Sequence, residues 1–141
     1  MDIRPATAAD APALAPLMAE LGYPTTPEEM AARLEILQGR ADFATLVAEV
    51  DGAIAGMVGV TVSPSLYRSD LLGAIVALVV SSGFRGRGIA ARLVDRGEQW
   101  LRDAGAPRAT VNPSTHREDA HRLYARLGYE ATGVRFSKPL G

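Results

Sequence analysis

The feature that most constrains this chain is the passage from Leu71 to Ala104, where a nearly unbroken apolar run turns abruptly into a polar, glycine- and arginine-rich turn and then an amphipathic stretch. Leu71 to Val80 is rich in β-branched residues (Ile75, Val76, Val79 and Val80), which favour a strand covered on both faces. Ser81-Ser82-Gly83-Phe84-Arg85-Gly86-Arg87-Gly88 then brings the chain round. From about Gly88 to Ala104 the apolar positions Ala90, Leu93, Val94, Gly97, Trp100 and Leu101 recur at helical spacing, and Gly105 ends the run. A strand feeding the bare start of a helix is an anion site in outline. The first N–H groups of a helix have no intrahelical partner, and the helix dipole makes that end partly positive. Gly86 and Gly88 let an anion approach the backbone, while Arg85 and Arg87 add guanidinium donors that suit phosphate oxygens.

Three readings fit that turn. It can be a tight structural turn with solvated arginines. It can be a dinucleotide fingerprint, since Gly86-Arg87-Gly88-Ile89-Ala90-Ala91 satisfies GxGxxA. That reading requires an acid at the end of the next strand, and Val111-Asn112 provides none. It can be a cradle for a pyrophosphate on a different scaffold. A kinase-type phosphate loop is excluded, because no Gly-Lys-Ser/Thr follows.

The rest of the chain supplies the scaffold. Asp2–Ala6 reads as a strand, and Thr7 with Asp10 opens a helix over Ala8–Leu21 closed by Gly22. Thr26, Pro27 and Glu29 form a cleaner start for a helix carrying Met30, Leu34 and Leu37, with Gly39 as its stop. Ala44–Val50 and Ala53–Val62 read as a hairpin about Asp51-Gly52, followed by a polar loop from Ser63 to Asp70. After the turn helix come a short strand Ala109–Asn112, a helix Glu118–Leu127 stopped by Gly128, and two last strands, Tyr129–Thr132 and Val134–Lys138. The sum is one domain over residues 1–141, of α+β class. Its mixed sheet begins with antiparallel hairpins and ends in a strand–helix–strand crossover.

Composition narrows the chemistry. Fifteen basic residues against 16 acidic ones leave a net charge of −1, which argues against nonspecific nucleic-acid binding. The absence of cysteine removes thiolate metal sites and cysteine nucleophiles. No stretch is apolar for the roughly 20 residues a bilayer span needs, and Met1 to Pro5 does not look like a secretory signal. A cytoplasmic protein without a membrane partner is the expectation.

Two motifs together resemble the GCN5-related N-acetyltransferase (GNAT) family. Arg85-Gly86-Arg87-Gly88-Ile89-Ala90 matches its (Gln/Arg)-x-x-Gly-x-(Gly/Ala) signature. Asp119-Ala120-His121-Arg122-Leu123-Tyr124-Ala125-Arg126-Leu127-Gly128-Tyr129 is similar to its Ala-x-x-(Leu/Phe)-Tyr-x-x-x-Gly-(Phe/Tyr) ending. The element order fits that fold across essentially the whole chain. The resemblance implies a mostly antiparallel mixed sheet with two splayed parallel strands and about four flanking helices. It implies acetyl-CoA as acetyl donor, an amine acceptor, direct transfer in a ternary complex and no metal. Relatives often pair, so a homodimer belongs to the same expectation.

Carried over residue by residue, Arg85, Gly86, Arg87, Gly88, Ile89 and Ala90 would hold the pyrophosphate. Leu78, Val79 and Val80 would line the pantetheine, with the N–H of Leu78 or Val79 as oxyanion donor. Asn112 would bond a pantetheine amide, and Arg117, where many relatives carry Asn, would reach a phosphate. Tyr124 would protonate the departing thiolate, as a neutral phenol can. Many relatives place a carboxylate base on the strand before the turn; Ile75-Val76-Ala77-Leu78 has none. Glu49, Asp70, His116, His121 or a water chain are the substitutes. The acceptor is expected between the first two helices and the loop Ser63 to Asp70, near Tyr23, Tyr67, Arg68 and Asp70. The missing acid also keeps open an acyl-CoA sensor with little or no turnover.

Overall fold

A computed structural model describes residues 1–111, 118–133 and 136–141. Its elements run β1 (Asp2–Pro5), a 3-10 turn (Ala8–Asp10), α1 (Ala11–Glu20), α2 (Pro27–Gln38), β2 (Phe43–Val50) and β3 (Ala53–Ser63). They continue with β4 (Leu72–Val80), a second 3-10 turn (Ser82–Phe84), α3 (Ile89–Asp103), β5 (Ala109–Val111) and α4 (Glu118–Arg126). The strands form one sheet in the order β1-β2-β3-β4-β5, antiparallel except for the parallel pair β4–β5.

Local chemistry sets most boundaries. At the start of α2 the Glu29 N–H donates to Thr26 Oγ1 at 3.1 Å while the Thr26 N–H donates back to Glu29 Oε1 at 2.9 Å. Asp51 and Gly52 both take positive φ, 50° and 80°, the geometry of a two-residue hairpin turn whose twist suits antiparallel strands. The first helix begins later than its sequence pattern suggests. Asp10 turns back to accept from the Thr7 N–H at 2.8 Å, so residues 8–10 close a 3-10 turn and the α-helix starts at Ala11.

The sheet is covered on both faces. Leu14, Leu17, Met30 and Leu34 of α1 and α2 pack with Val47, Met57 and Val79 on one side. Leu93, Val94 and Leu101 of α3, with Tyr124 of α4, pack with Leu46, Val58, Val60 and Ile75 on the other. Gly97 brings α3 close: a Cβ there would lie 3.1 Å from Val60 Cγ1.

Two irregularities shape β4. Ile75 pairs with Val60 and Ala77 with Gly59, so Val76 is an extra, bulged residue. The bulge shifts the strand's alternation: Ile75, Leu78 and Val80 belong to the α3 side, Ala77 and Val79 to the α1–α2 side. On its other edge β4 pairs with β5 at only Gly73, Ala74 and Ile75. Among the described residues, no strand pairs with Val76 to Val80 on that edge.

The end of the chain differs from expectation. Residues 129–133 and 136–138 form no strand, and Val134 and Arg135 lie outside the described residues. The described part of β5 is Ala109–Val111. Tyr129 is also committed to α4, its N–H donating to the Tyr124 carbonyl at 2.9 Å.

Asp10, 7% exposed, takes two 2.9 Å bonds from the Arg4 guanidinium, whose Nε donates to Glu49 at 3.1 Å. Arg4 holds the Asp10 carboxyl below the usual carboxylate range. Its contribution to stability is therefore complete above the unfolded pKa, about 4, and disappears as pH falls through the lower folded value. Asp10→Asn is expected to cost about 1–3 kcal/mol at neutral pH. Chemical denaturation should find the gap between variant and parent closing on acidification; a gap independent of pH would contradict the assignment.

Candidate donor site

The site grows out of the way β4 ends. The Ser81 N–H donates to the Ala55 carbonyl on β3 at 2.8 Å. Peptide groups alternate along a strand, so Val79 also faces β3 and the main-chain groups of Leu78 and Val80 face the other way. A Cβ on Gly56 would fall 2.7 Å from the Val79 carbonyl oxygen, which confirms that Val79 points towards β3. The two main chains expected to bond an extended ligand thus face the edge that β5 leaves. Of the two expected oxyanion donors, Leu78 faces that edge and Val79 does not.

At the top of this edge lies the glycine turn. Phe84 N–H donates to the Ser81 carbonyl at 2.9 Å, closing the 3-10 turn. Gly86 and Gly88 adopt φ of 81° and 75°, a region other residues enter at a cost. A Cβ at Gly83, Gly86 or Gly88 would meet nothing within 4 Å, so the turn's surface is open. Gly88 caps α3 in the left-handed conformation and supplies no side-chain acceptor to the helix's first N–H groups. Buried Ile89 anchors that end, with Ala90 half-buried behind it. Arg85 is exposed, and Arg87 lies 5.2 Å above the Phe84 ring. Amide donors, two cations and open space meet here, which is a suitable cradle for a diphosphate.

Tyr124 is 7% exposed and belongs to the same apolar cluster as Leu78, Val80 and Phe84. Its ring stands edge-on to Tyr129, with centroids 5.5 Å apart and planes at 71°. Tyr129 in turn donates its hydroxyl to Glu98 on α3 at 2.6 Å. Burial first, then Glu98, pushes the Tyr129 hydroxyl up and keeps it neutral. This clamp ties the end of α4 to α3 and fixes one side of the Tyr124 ring. Sequence reasoning did not find it: Tyr129 closes the family-like motif, but Glu98 has no signal outside the fold.

The substitute bases scatter. Glu49 is bonded to Arg4, two strands away from β4. Asp70 is paired with Arg68 at 2.8 Å and held below the usual range by it. His121 is exposed on α4. His116, like Asn112 and Arg117, lies outside the described residues.

The acceptor expectation needs correction. Ser63 pairs with Leu72 at one end of β3–β4, and Gly56 with Val80 at the other. The loop with Tyr67, Arg68 and Asp70 therefore leaves the sheet about 20 Å from Leu78, at the end opposite the glycine turn. The α1–α2 connection, with Tyr23, lies at the turn end, because Glu20 of α1 touches Ser82 and Arg85. A small acceptor seated beside Leu78 is therefore not framed by the loop with Tyr67, Arg68 and Asp70. Also, no described helix is long and apolar enough to cross a membrane, and no described cluster of acids and histidines could hold a metal.

The model of the acetyltransferase (GNAT) family matches residues 12–129. An aminoalkylphosphonate N-acetyltransferase of Salmonella typhimurium is 34% identical over 90 residues, 64% of this chain and 58% of that protein. The chain thus spans little more than half of this relative. A GNAT family acetyltransferase of Staphylococcus aureus has a similar structure, with a TM-score of 0.83 and 25% identity, covering 99% of this chain and 98% of that one. A transcriptional regulator from Bacillus halodurans shares the fold at a TM-score of 0.90 and 23% identity, covering 99% of each chain.

Gly88→Glu places bulk and negative charge on the turn, whereas Gly88→Ala carries only the backbone strain. Acetyl-CoA binding by calorimetry should weaken at least about tenfold more in the glutamate variant, a charge clash of roughly 1.4 kcal/mol or more. Equal affinities in the two variants would refute the cradle.

Proposed function

The chain belongs to the acetyltransferase (GNAT) family, and we propose that it transfers the acetyl group of acetyl-CoA directly to the nitrogen of an amine acceptor. The observation that carries this reading is that the peptide groups of Leu78 and Val80 face away from β3, on the edge of β4 that leads into the open glycine turn. An extended pantetheine can bond the outward peptide groups of Leu78 and Val80 as an added strand would, while the turn takes the diphosphate. On this reading residues 1–141 act as one acetyltransferase domain.

Each residue's role follows from its chemistry. Arg85 and Arg87, with the amides from Gly86 to Ala90, hold the diphosphate. The Leu78 N–H steadies the charge that develops on the thioester oxygen; Val79 does not share that task, because its peptide faces β3. Asn112 and Arg117 complete the cofactor contacts. The acceptor nitrogen bonds to the carbonyl carbon as the carbon–sulfur bond breaks, and Tyr124 gives its hydroxyl proton to the sulfur. The nitrogen sheds its own proton to solvent and the Tyr124 phenolate takes one back from solvent, which leaves amide and thiol as the net products. At neutral pH, presenting an alkylamine unprotonated costs on the order of 4–5 kcal/mol. With Glu49 and Asp70 engaged by arginines, a water chain or a histidine, His116 or His121, is the route for that proton. The Salmonella relative's name directs the first trials to small aminoalkylphosphonates among the amines.

Thiol release from acetyl-CoA, followed with a panel of amines that includes aminoalkylphosphonates and peptides, tests the reading. One acetylated amine should form for each thiol freed. Saturable acetyl-CoA binding with no release across the panel would instead make the chain an acyl-CoA sensor, the reading that an acid-free β4 favours. For the amine that reacts, Tyr124→Phe should lower kcat on the order of 100-fold and leave acetyl-CoA affinity nearly unchanged. Unchanged kcat would remove Tyr124 from the chemistry.

A further inference from the structure

Glu20 has no local reason to stand where it does. It occupies the last turn of α1, where the partial negative charge of the helix end disfavours a carboxylate. Its partners, Ser82 and Arg85, lie more than 60 residues away on the glycine turn. Ser82 N–H donates to Glu20 Oε1 at 3.1 Å, and Arg85 Nη2 is 3.8 Å from the same oxygen. The Glu20 side chain is 29% exposed, against 57% for Arg85. A carboxylate oxygen thus occupies an amide donor and a guanidinium in the segment where a Cβ at Gly83, Gly86 or Gly88 would meet nothing within 4 Å.

We infer that Glu20 tunes donor affinity by competing with the diphosphate of the acyl donor for Arg85, from a position fixed by the Ser82 amide. The inference rests on the acetyl-CoA reading and adds to it a limit on how tightly the donor, and the CoA product, are held. Binding a diphosphate draws Arg85 from Glu20 towards the phosphate and sets two like charges near each other. The geometry also links the two halves of the site, because Glu20 immediately precedes the α1–α2 connection.

Glu20→Gln separates the charge from the bond, since the amide oxygen can still accept from Ser82 N–H. Calorimetry with CoA should show binding about two- to fivefold tighter in the variant, the effect of one partly exposed ion pair. The gain should shrink in high salt. Pantetheine, which lacks the diphosphate, should bind both proteins alike. In an Arg85→Gln background, Glu20→Gln should bring less gain, because the contested guanidinium is gone. A variant that binds CoA no tighter, or whose affinity for pantetheine changes equally, would overturn the role of Glu20. A parent chain that binds neither ligand would overturn the acetyl-CoA reading itself.

Discussion

The structure depends on how β4 is paired on its two edges among the described residues. β4 hydrogen-bonds to β3 along its length, yet it meets β5 only from Gly73 to Ile75. Backbone polar groups need partners, and a strand edge without a neighbouring strand is a template for an extended ligand. The bulge at Val76 adds to this by rotating the last part of β4, so that Leu78 and Val80 turn their side chains to the α3 core and their peptides away from β3. The close contact at the start of β5 is set by Gly73, where a Cβ would come within 2.7 Å of the Arg108 carbonyl oxygen. Among the described residues, that tight approach is confined to the first part of β4.

The glycine turn follows directly on that strand. β4 leads within a few residues into a helix start without a side-chain cap, so on the proposed reading one continuous piece of backbone serves a thioester, an amide arm and a diphosphate. Backbone donors place few demands on side chains, so Leu78 and Val80 can pack in the core and still serve such a ligand. The side chains to which that reading gives duties are few: Tyr124 by the core, packed against Tyr129, which Glu98 holds, and the two arginines of the turn.

What was legible in the sequence was local. The Thr26–Glu29 box, the Asp51-Gly52 hairpin and the turn from Arg85 to Gly88 each declare themselves within a few residues, and each appears where the sequence puts it. What was not legible depends on partners distant in sequence. The Val76 bulge exists only in register with Gly59 and Val60, and nothing in Ile75-Val76-Ala77 announces it. Glu20 meets the turn across 62 residues. The two expected terminal strands had suitable alternation, but the Tyr129 N–H is taken by the Tyr124 carbonyl at the end of α4, a contact the alternation does not announce. The loop from Ser63 to Asp70 looked like part of an acceptor site because it carries Tyr67 and Asp70. Strand direction sends it to the other end of the sheet.

The central claim is that the outward peptides of Leu78 and Val80 are ligand donors and acceptors. A titration of the isotopically labelled chain with CoA, followed by amide NMR and hydrogen exchange, tests it most directly. The account predicts large shifts and new protection at Leu78, Val80 and the amides from Gly86 to Ala90, with Ala77 and Val79 little changed because β3 already holds them. Saturable CoA binding that leaves Leu78 and Val80 unmoved would contradict it.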